Sequence, residues 1–199
     1  MRHLLHFSFF LFAVMIISCK KNPSQQPQPE PKTEMIYTPL NDVEIKYQSR
    51  GVLIDLNKDD RADVFFGVTH VGDPVNKEDK FRFNIITSIL TSIPVNNNEQ
   101  TPVFRKDVRI PLNNFGVYNW YNASEITLIE KIISENGSFL WIGNWLAANR
   151  NYLPVQILGI NNQRFNGWIE LTADASGERL ILHRAAISKV PETEVSAGL

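Results

Sequence analysis

From about residue 36 onward, apolar and polar residues alternate along the chain with a period of two, which is the pattern of half-buried β-strands. The pattern is clearest in the C-terminal third, where Asn161 and Asn162, and later the sequence "DASG", interrupt it. Asparagine, aspartate, serine and glycine favour tight turns, so this region predicts two consecutive hairpins that form an antiparallel meander. The three predicted strand sequences are "YLPVQILGI", "RFNGWIELTA" and "ERLILHRAAIS".

The same pattern upstream predicts an all-β fold in a single domain that spans residues 36–199. Two antiparallel sheets packed as a sandwich, with a jelly-roll-like strand order as one form of it, would bury the apolar face of each strand. Residues 124–137 leave two interpretations open. Ser124 and Gly137 are suitable caps for a helix, and the alternating residues between them equally suit a strand, which we favour.

The N-terminus has the layout of a bacterial lipoprotein signal peptide. Arg2 precedes an apolar run at residues 7–17, which is shorter than a comfortable membrane span. The run ends in "IISC", which resembles a lipobox with the small Ser18 before Cys19, the single cysteine of the chain. The resemblance implies cleavage after residue 18 and acylation of Cys19, with a diacylglycerol on the thiol and a further chain, such as palmitate, on the freed amine. Several acyl chains together anchor a protein firmly in a bilayer.

A segment rich in proline and glutamine follows, and it predicts a flexible tether at residues 19–35 because it has little apolar area to bury. The predicted location is therefore the bacterial cell envelope, with the lipid bilayer as a partner through acylated Cys19. Lys20 stands where the familiar inner-membrane retention signal has aspartate, which favours the outer membrane. The tether also lacks the acidic cluster that resembles some surface-export signals, which favours the periplasmic face over the cell surface.

The sequence "DLNKDDRAD" at residues 55–63, the acidic loop, places oxygen-bearing side chains at alternate positions between two predicted strands. Calcium takes about six to eight oxygen ligands and tolerates irregular geometry. Without a cation the carboxylates of such a loop would repel one another. The acidic loop therefore predicts a structural calcium site, against the alternative of a solvated acidic turn. The predicted ligands are the side chains of Asp55, Asn57, Asp59 and Asp63 and the backbone carbonyl of Arg61.

The acidic loop resembles the calcium loops of FG-GAP repeats and dockerins. Those loops have a glycine with positive φ where this chain has Asp60, and aspartate tolerates the left-handed region better than most residues. The position of the bidentate glutamate that closes an EF-hand loop is Phe66 here. The pattern therefore favours a strand that leaves the loop over an EF-hand.

The C-terminal pieces "FNGWIEL", "RAAISKVP" and "EVSAG", together with residues 152–158, resemble the tail of a broad group of secreted bacterial proteins. That group includes Bacteroidetes lipoproteins and PEP-CTERM-sorted proteins. The resemblance implies a β architecture and no catalytic residue. Gly167 before Trp168 predicts a close backbone approach or a β-bulge. Core positions are predicted for Trp168, Ile169 and Leu171.

Charge and motif content limit the function classes. The chain has 199 residues and a formal net charge of −1, which gives no electrostatic basis for binding nucleic acid. After the predicted signal peptide the histidines are His70 and His183, which do not have metal-ligand spacing. The sequence contains no nucleophile elbow, phosphate-binding loop or dinucleotide fingerprint.

The aromatic residues suggest one further candidate site. An exposed group of them would form a platform for sugar rings, and the alternative is that they pack partly in the core and partly at its rim. The candidate platform residues are Trp120, Tyr121, Trp141 and Trp145.

Two functions remain open on the sequence alone. The first is a calcium-stabilised β-sandwich in the cell envelope that acts as a non-catalytic structural or binding module, with a glycan or an envelope protein as its partner. The second is a glycan-active or peptide-active enzyme on the same scaffold. A cleft with paired carboxylates or a central histidine would favour the enzyme. The fold by itself does not distinguish them.

Overall fold

The computed structural model describes residues 34–199, so the predicted signal peptide, Cys19 and most of the predicted tether lie outside the described residues. The described chain contains thirteen β-strands and a short 3-10 helix at Ile160–Asn162. The strands are β1 (Met35–Lys46), β2 (Val52–Ile54), β3 (Val64–Asp73), β4 (Glu78–Thr87), β5 (Thr91–Val95), β6 (Arg109–Ile110), β7 (Asn119–Asn122), β8 (Glu125–Ser134), β9 (Phe139–Ile142), β10 (Asn151–Leu158), β11 (Arg164–Asp174), β12 (Arg179–Ser188) and β13 (Val195–Ser196).

The strands form two main antiparallel sheets, which confirms the predicted all-β, two-sheet fold. The larger sheet has six strands in the order β1-β12-β11-β10-β5-β7, and the second has five in the order β2-β3-β4-β8-β9. The short strands β6 and β13 pair separately with each other. Within residues 34–199, no helix has the length and apolar character needed to cross a membrane.

The main hydrophobic core lies between the two large sheets. Phe66 and Phe83 of the five-stranded sheet belong to the same buried cluster as Leu153 and Leu182 of the six-stranded sheet. A smaller cluster includes Trp168 and lies on the opposite face of the six-stranded sheet, where β6 and β13 cover it. Removal of this apolar area from water is the main driving force for the packing of the sheets.

Strands β10, β11 and β12 form the predicted meander. The β10–β11 turn places Asn161 and Asn162 at φ of 63° and 59°, a left-handed conformation that asparagine adopts more readily than most residues. The next turn falls at the predicted "DASG" sequence, between β11 and β12. Local turn chemistry was therefore sufficient to locate this part of the fold.

Gly167 marks a close backbone approach, as one of the two sequence interpretations predicted. A Cβ atom at this position would lie 2.2 Å from the carbonyl oxygen of Ala186 in the neighbouring strand β12. The register shift between β11 and β12 falls later, between Glu170 and Leu171, so the bulge interpretation does not apply to Gly167 itself. The predicted core positions Trp168, Ile169 and Leu171 are all fully buried.

The ambiguous segment at 124–137 contains strand β8 and not a helix. β8 pairs with β4 on one side and with β9 on the other. Gly137, which could have ended a helix, has φ of 81° in the tight β8–β9 turn, where its amide donates to the Ser134 carbonyl at 2.8 Å. Hydrogen bonding to neighbours on both sides stabilises the strand over a helix that the local sequence also permits.

Candidate functional site

The acidic loop connects β2 to β3 at one end of the five-stranded sheet. The Asp63 amide donates to the Ile54 carbonyl at 2.8 Å and closes the loop where the two strands begin to pair. Leu56 is fully buried in the main core and holds the start of the loop against the sandwich. The loop is therefore attached to the core at both ends, and its middle residues are exposed.

The side chains of the loop bind the loop's own backbone amides. The Asp55 carboxylate accepts from the amide of Lys58 at 2.7 Å and from that of Asp60 at 2.9 Å. The Asn57 side-chain oxygen accepts from the Asp59 amide at 3.1 Å, and Asp59 accepts from the amide of Arg61 at 3.0 Å. The Arg61 side chain is exposed. These bonds order the loop and bring Asp55, Asn57 and Asp59 together.

At one position of the loop the backbone has the left-handed conformation that the resemblance to calcium loops implies. Asp60 stands where those loops have glycine, and its φ is 66°. Lys58 also has a positive φ, 65°, which its residue type does not predict because lysine rarely adopts this region. Two left-handed residues in close succession allow the chain to curl tightly around Asp55.

Asp63 is the predicted ligand with the most unusual surroundings. Its side chain is 4% exposed, and its carboxylate accepts from the Leu56 amide at 2.7 Å and from the Thr91 hydroxyl at 3.3 Å. Both donors are neutral. Burial raises the pKa of Asp63 above its ordinary value, and the negative charges of Asp59 and Asp55 raise it further. Proximity to these two carboxylates makes the ionised form of Asp63 costly.

The donor chemistry of the loop suits a hard cation, because its side-chain ligands are all oxygens and its net charge is negative. Several of these oxygens accept hydrogen bonds from backbone amides of the loop. Within residues 34–199, no group of three or more His, Cys, Asp or Glu side chains is arranged so that it could hold a metal ion.

A cleft of about 710 Å³ opens beside the acidic loop, and we call it the loop-end cleft. Its walls come from the acidic loop, from the β4–β5 turn at residues 88–90 and from residues 157–160 at the end of β10. The Ser88 amide donates to the Asp63 carbonyl at 2.8 Å, and the Leu158 amide donates to the Leu90 carbonyl at 2.7 Å. The three wall segments are thus joined by backbone hydrogen bonds.

The predicted aromatic platform is not assembled as one surface. Trp145 is fully buried in the main core, where its indole nitrogen donates to the Thr101 hydroxyl at 2.8 Å, so its assignment as an exposed sugar-stacking residue is wrong. Trp141 packs against the same core from β9, beside Phe83. Trp120 and Tyr121 lie on β7 in the other sheet, and of the four only Tyr121 is more than half exposed.

The histidines are separate from each other and from the acidic loop. His70 donates to Asp79 at 2.8 Å and stacks on Phe81 with a centroid separation of 4.6 Å. His183 bonds Asp42 through Nδ1, and its Nε2 lies 2.8 Å from the Thr172 hydroxyl oxygen. Together these two hydrogen bonds join three neighbouring strands, β1, β12 and β11, near the register shifts between them.

The hydrogen-bonded series of side chains Asp42, His183 and Thr172 could not be found from the sequence. Its members are far apart along the chain, and they meet only because β1 and β11 flank β12. The Thr172 hydroxyl also accepts from the Arg150 amide at 3.0 Å, which places it in a structural network. The hydrogen bond to His183 lowers the pKa of Asp42.

Other buried or half-buried carboxylates lie in ion pairs. Glu130 accepts from Arg82 at 2.6 Å, and Asp73 accepts from Lys80 at 2.8 Å, which lowers the pKa of Asp73. Glu170, 3% exposed, lies between Arg150 and Arg184. In Asp73 this lowering of the pKa favours the ionised carboxylate, which is the opposite of what a general acid needs at neutral pH.

Comparison of this chain with known protein families, with curated protein sequences and with solved structures finds no match.

Proposed function

We propose that this protein is a lipid-anchored component of the bacterial cell envelope, and that its β-sandwich domain is a non-catalytic structural or binding module with a calcium-stabilised loop. The observation that carries the calcium part is Asp63, a buried carboxylate with a raised pKa, neutral hydrogen-bond donors and two acidic neighbours. The anchor is supported by the agreement in position of the apolar run, the small Ser18 and Cys19.

The anchor has a direct test. Cys19→Ser in the full-length chain removes the thiol that would carry the diacylglycerol, so the variant should lose incorporation of radiolabelled palmitate in bacterial cells. The parent chain should be labelled and should fractionate with membranes. Ser18→Ala is the control, because alanine is also small before the cleavage site and should keep the labelling. Equal labelling of the parent and Cys19→Ser would refute the lipid anchor.

Calcium is proposed to bind through the oxygens of the acidic loop. The side chains of Asp55, Asn57, Asp59 and Asp63 would hold the ion, together with the Arg61 carbonyl. The bound ion would supply the positive charge that offsets repulsion among the three carboxylates. Because the loop is attached to the core through Leu56 and to the β4–β5 turn through Asp63, an ion there would stabilise the edge where these segments meet.

Calcium is expected to raise the free energy of unfolding of the chain that lacks residues 1–18. Loops of the extracellular type bind calcium with dissociation constants of about 10⁻⁴ to 10⁻³ M. At about a hundredfold excess over the dissociation constant the gain is about 2.7 kcal/mol. That gain corresponds to a rise in melting temperature of about 5–10 °C. Differential scanning calorimetry with calcium and with a chelator measures it.

Asp63→Asn is the informative variant for this measurement. It should lose the calcium-induced rise, and without calcium at neutral pH it should be at least as stable as the parent because it removes a buried charge. Asp60→Asn, which removes the same charge from an exposed position of the same loop, is the control and should keep most of the rise.

Calcium stabilisation of the parent should also disappear as the pH falls through the raised pKa of Asp63, since protonation competes with the ion. A parent chain indifferent to calcium at neutral pH would contradict the proposal.

The choice of a binding or structural module over an enzyme is supported by the surroundings of the acidic residues. Glu130, Glu170 and Asp73 are each held by a lysine or an arginine. The carboxylate with a raised pKa, Asp63, is used in loop closure and accepts bonds from Leu56 and Thr91. Asp63 lines the loop-end cleft, so the binding of a ligand in that cleft would depend on calcium.

A further inference from the structure

Three large aliphatic side chains are exposed around the loop-end cleft. Ile89 and Leu90 lie at the tip of the β4–β5 turn and are 73% and 42% exposed, and Ile160 in the β10–β11 turn is 86% exposed. All three line the same cleft as the acidic loop. Isolated exposed aliphatic residues are common, but three on adjoining loop tips form an apolar rim that water solvates poorly.

The apolar rim is held in place by the backbone. The Leu158 amide donates to the Leu90 carbonyl and so joins the β4–β5 turn to the end of β10, just before Ile160. The Asn122 side chain donates to the Ile89 carbonyl. The exposed residues are therefore on ordered turns at one end of the sandwich, and their presentation to solvent is a property of the fold.

The same end of the sandwich is where the described chain begins. Met35 pairs with Ser188, and the Lys189 amide donates to the Glu34 carbonyl at 2.8 Å. Ile36 and Asn57 of the acidic loop line one cavity of about 260 Å³, which also shares Ile157 and Gly159 with the loop-end cleft. Residue 34, which connects the domain to the upstream sequence, thus lies at the same end of the sandwich as the apolar rim.

The distance to the proposed anchor is short. Cys19 precedes Glu34 by fifteen residues, and a chain of that length spans at most about 50 Å. A domain tethered so closely experiences a high effective concentration of lipid surface, so that even a weak contact is populated. The end nearest the tether is the one that reaches the bilayer with least extension of the chain.

We infer that this end of the domain, the acidic loop with its apolar rim, docks on the surface of the lipid bilayer that holds the anchor. The inference rests on the proposed lipid anchor and on the proposed calcium ion. Ile89, Leu90 and Ile160 insert at the boundary between headgroups and acyl chains, where apolar side chains are stabilised by removal from water. The acidic residues of the loop face the headgroups, and a bound calcium ion reduces their repulsion from anionic lipids.

The depth of a fluorescent probe in the lipid bilayer tests the docking. The acylated protein is purified from bacterial membranes and reconstituted in vesicles of phosphatidylethanolamine and phosphatidylglycerol with calcium. Ile160→Cys places a thiol for an environment-sensitive fluorophore on the apolar rim, and acylated Cys19 does not react. Val75→Cys is the matched control, because Val75 is equally exposed, at 89%, on the β3–β4 turn at the opposite end of its sheet. Phospholipids brominated on their acyl chains serve as the quencher.

The label at position 160 should shift to shorter emission wavelength and be quenched by brominated lipid, and the label at position 75 should do neither. Equal, weak quenching at both positions in protein that remains on the vesicles overturns the docking and leaves the anchor standing. A blue shift at position 160 without quenching means that protein, such as a second copy of the chain, covers the rim, and it also overturns the inference. Protein that is unacylated and leaves the vesicles overturns both proposals.

Discussion

Gly167→Ala is expected to destabilise the domain by about 3 kcal/mol, although it adds a single methyl group. The new Cβ atom would lie 2.2 Å from the Ala186 carbonyl oxygen and 3.0 Å from the Ile187 Cα atom, both in the backbone of β12. Backbone atoms of a central strand cannot rotate aside as a side chain does, so β11 and β12 must separate. Urea unfolding of the chain without residues 1–18 should show the loss of unfolding free energy. Thermal unfolding should show a melting temperature lower by about 10 °C.

Gly72→Ala provides the control for this substitution. Gly72 also lies in a strand, β3, but its nearest neighbour to an added Cβ is the Asp79 side chain at 3.8 Å, an ordinary contact. Alanine there should be neutral or slightly stabilising, because it reduces the conformational freedom of the unfolded chain. A Gly167→Ala protein as stable as Gly72→Ala would show that β11 and β12 do not approach as closely as described.

Trp145→Ala should cost about 3–5 kcal/mol of folding stability, the range for removal of a buried tryptophan. The side chain is fully buried in the main core, and the Thr101 hydroxyl, also buried, would lose its indole partner. The residue lies in the segment between β9 and β10 that crosses from one sheet to the other, so its indole fills space between the sheets. Calorimetry should show a large loss of melting temperature or failure to fold.

Tyr121→Ala distinguishes packing from ligand stacking at the predicted aromatic residues. Tyr121 is 54% exposed on the edge strand β7, and its removal should cost less than about 1 kcal/mol. A glycan-binding role for exposed aromatic residues would therefore have to be tested at Tyr121, where loss of binding is separable from loss of fold. Small and similar losses of folding stability in Trp145→Ala and Tyr121→Ala would contradict the burial of Trp145.

The acidic loop shows how far local sequence reasoning extends into a site. The sequence correctly placed a tight loop between two strands, and the resemblance to calcium loops implied the left-handed residue at Asp60. It did not predict that Asp63 would be buried against Leu56 and Thr91, because Thr91 begins a different strand, β5. The calcium ion itself stays a prediction. The proximity of the loops that form the apolar rim was likewise not predicted, since Ile89 and Ile160 are 71 positions apart in the sequence.

Local sequence patterns were enough to establish the β class of this domain, the C-terminal meander with its two turns, and the core positions around Trp168. These features depend on the period of two and on turn residues, which act over a few neighbouring positions. Contacts between distant segments make residues 125–134 a strand, place Trp145 in the interior, and bring the acidic loop to the same end of the sandwich as the start of β1. Those outcomes depend on hydrogen bonds and packing between segments distant in sequence, and a local pattern carries no information about which distant segment will arrive beside it.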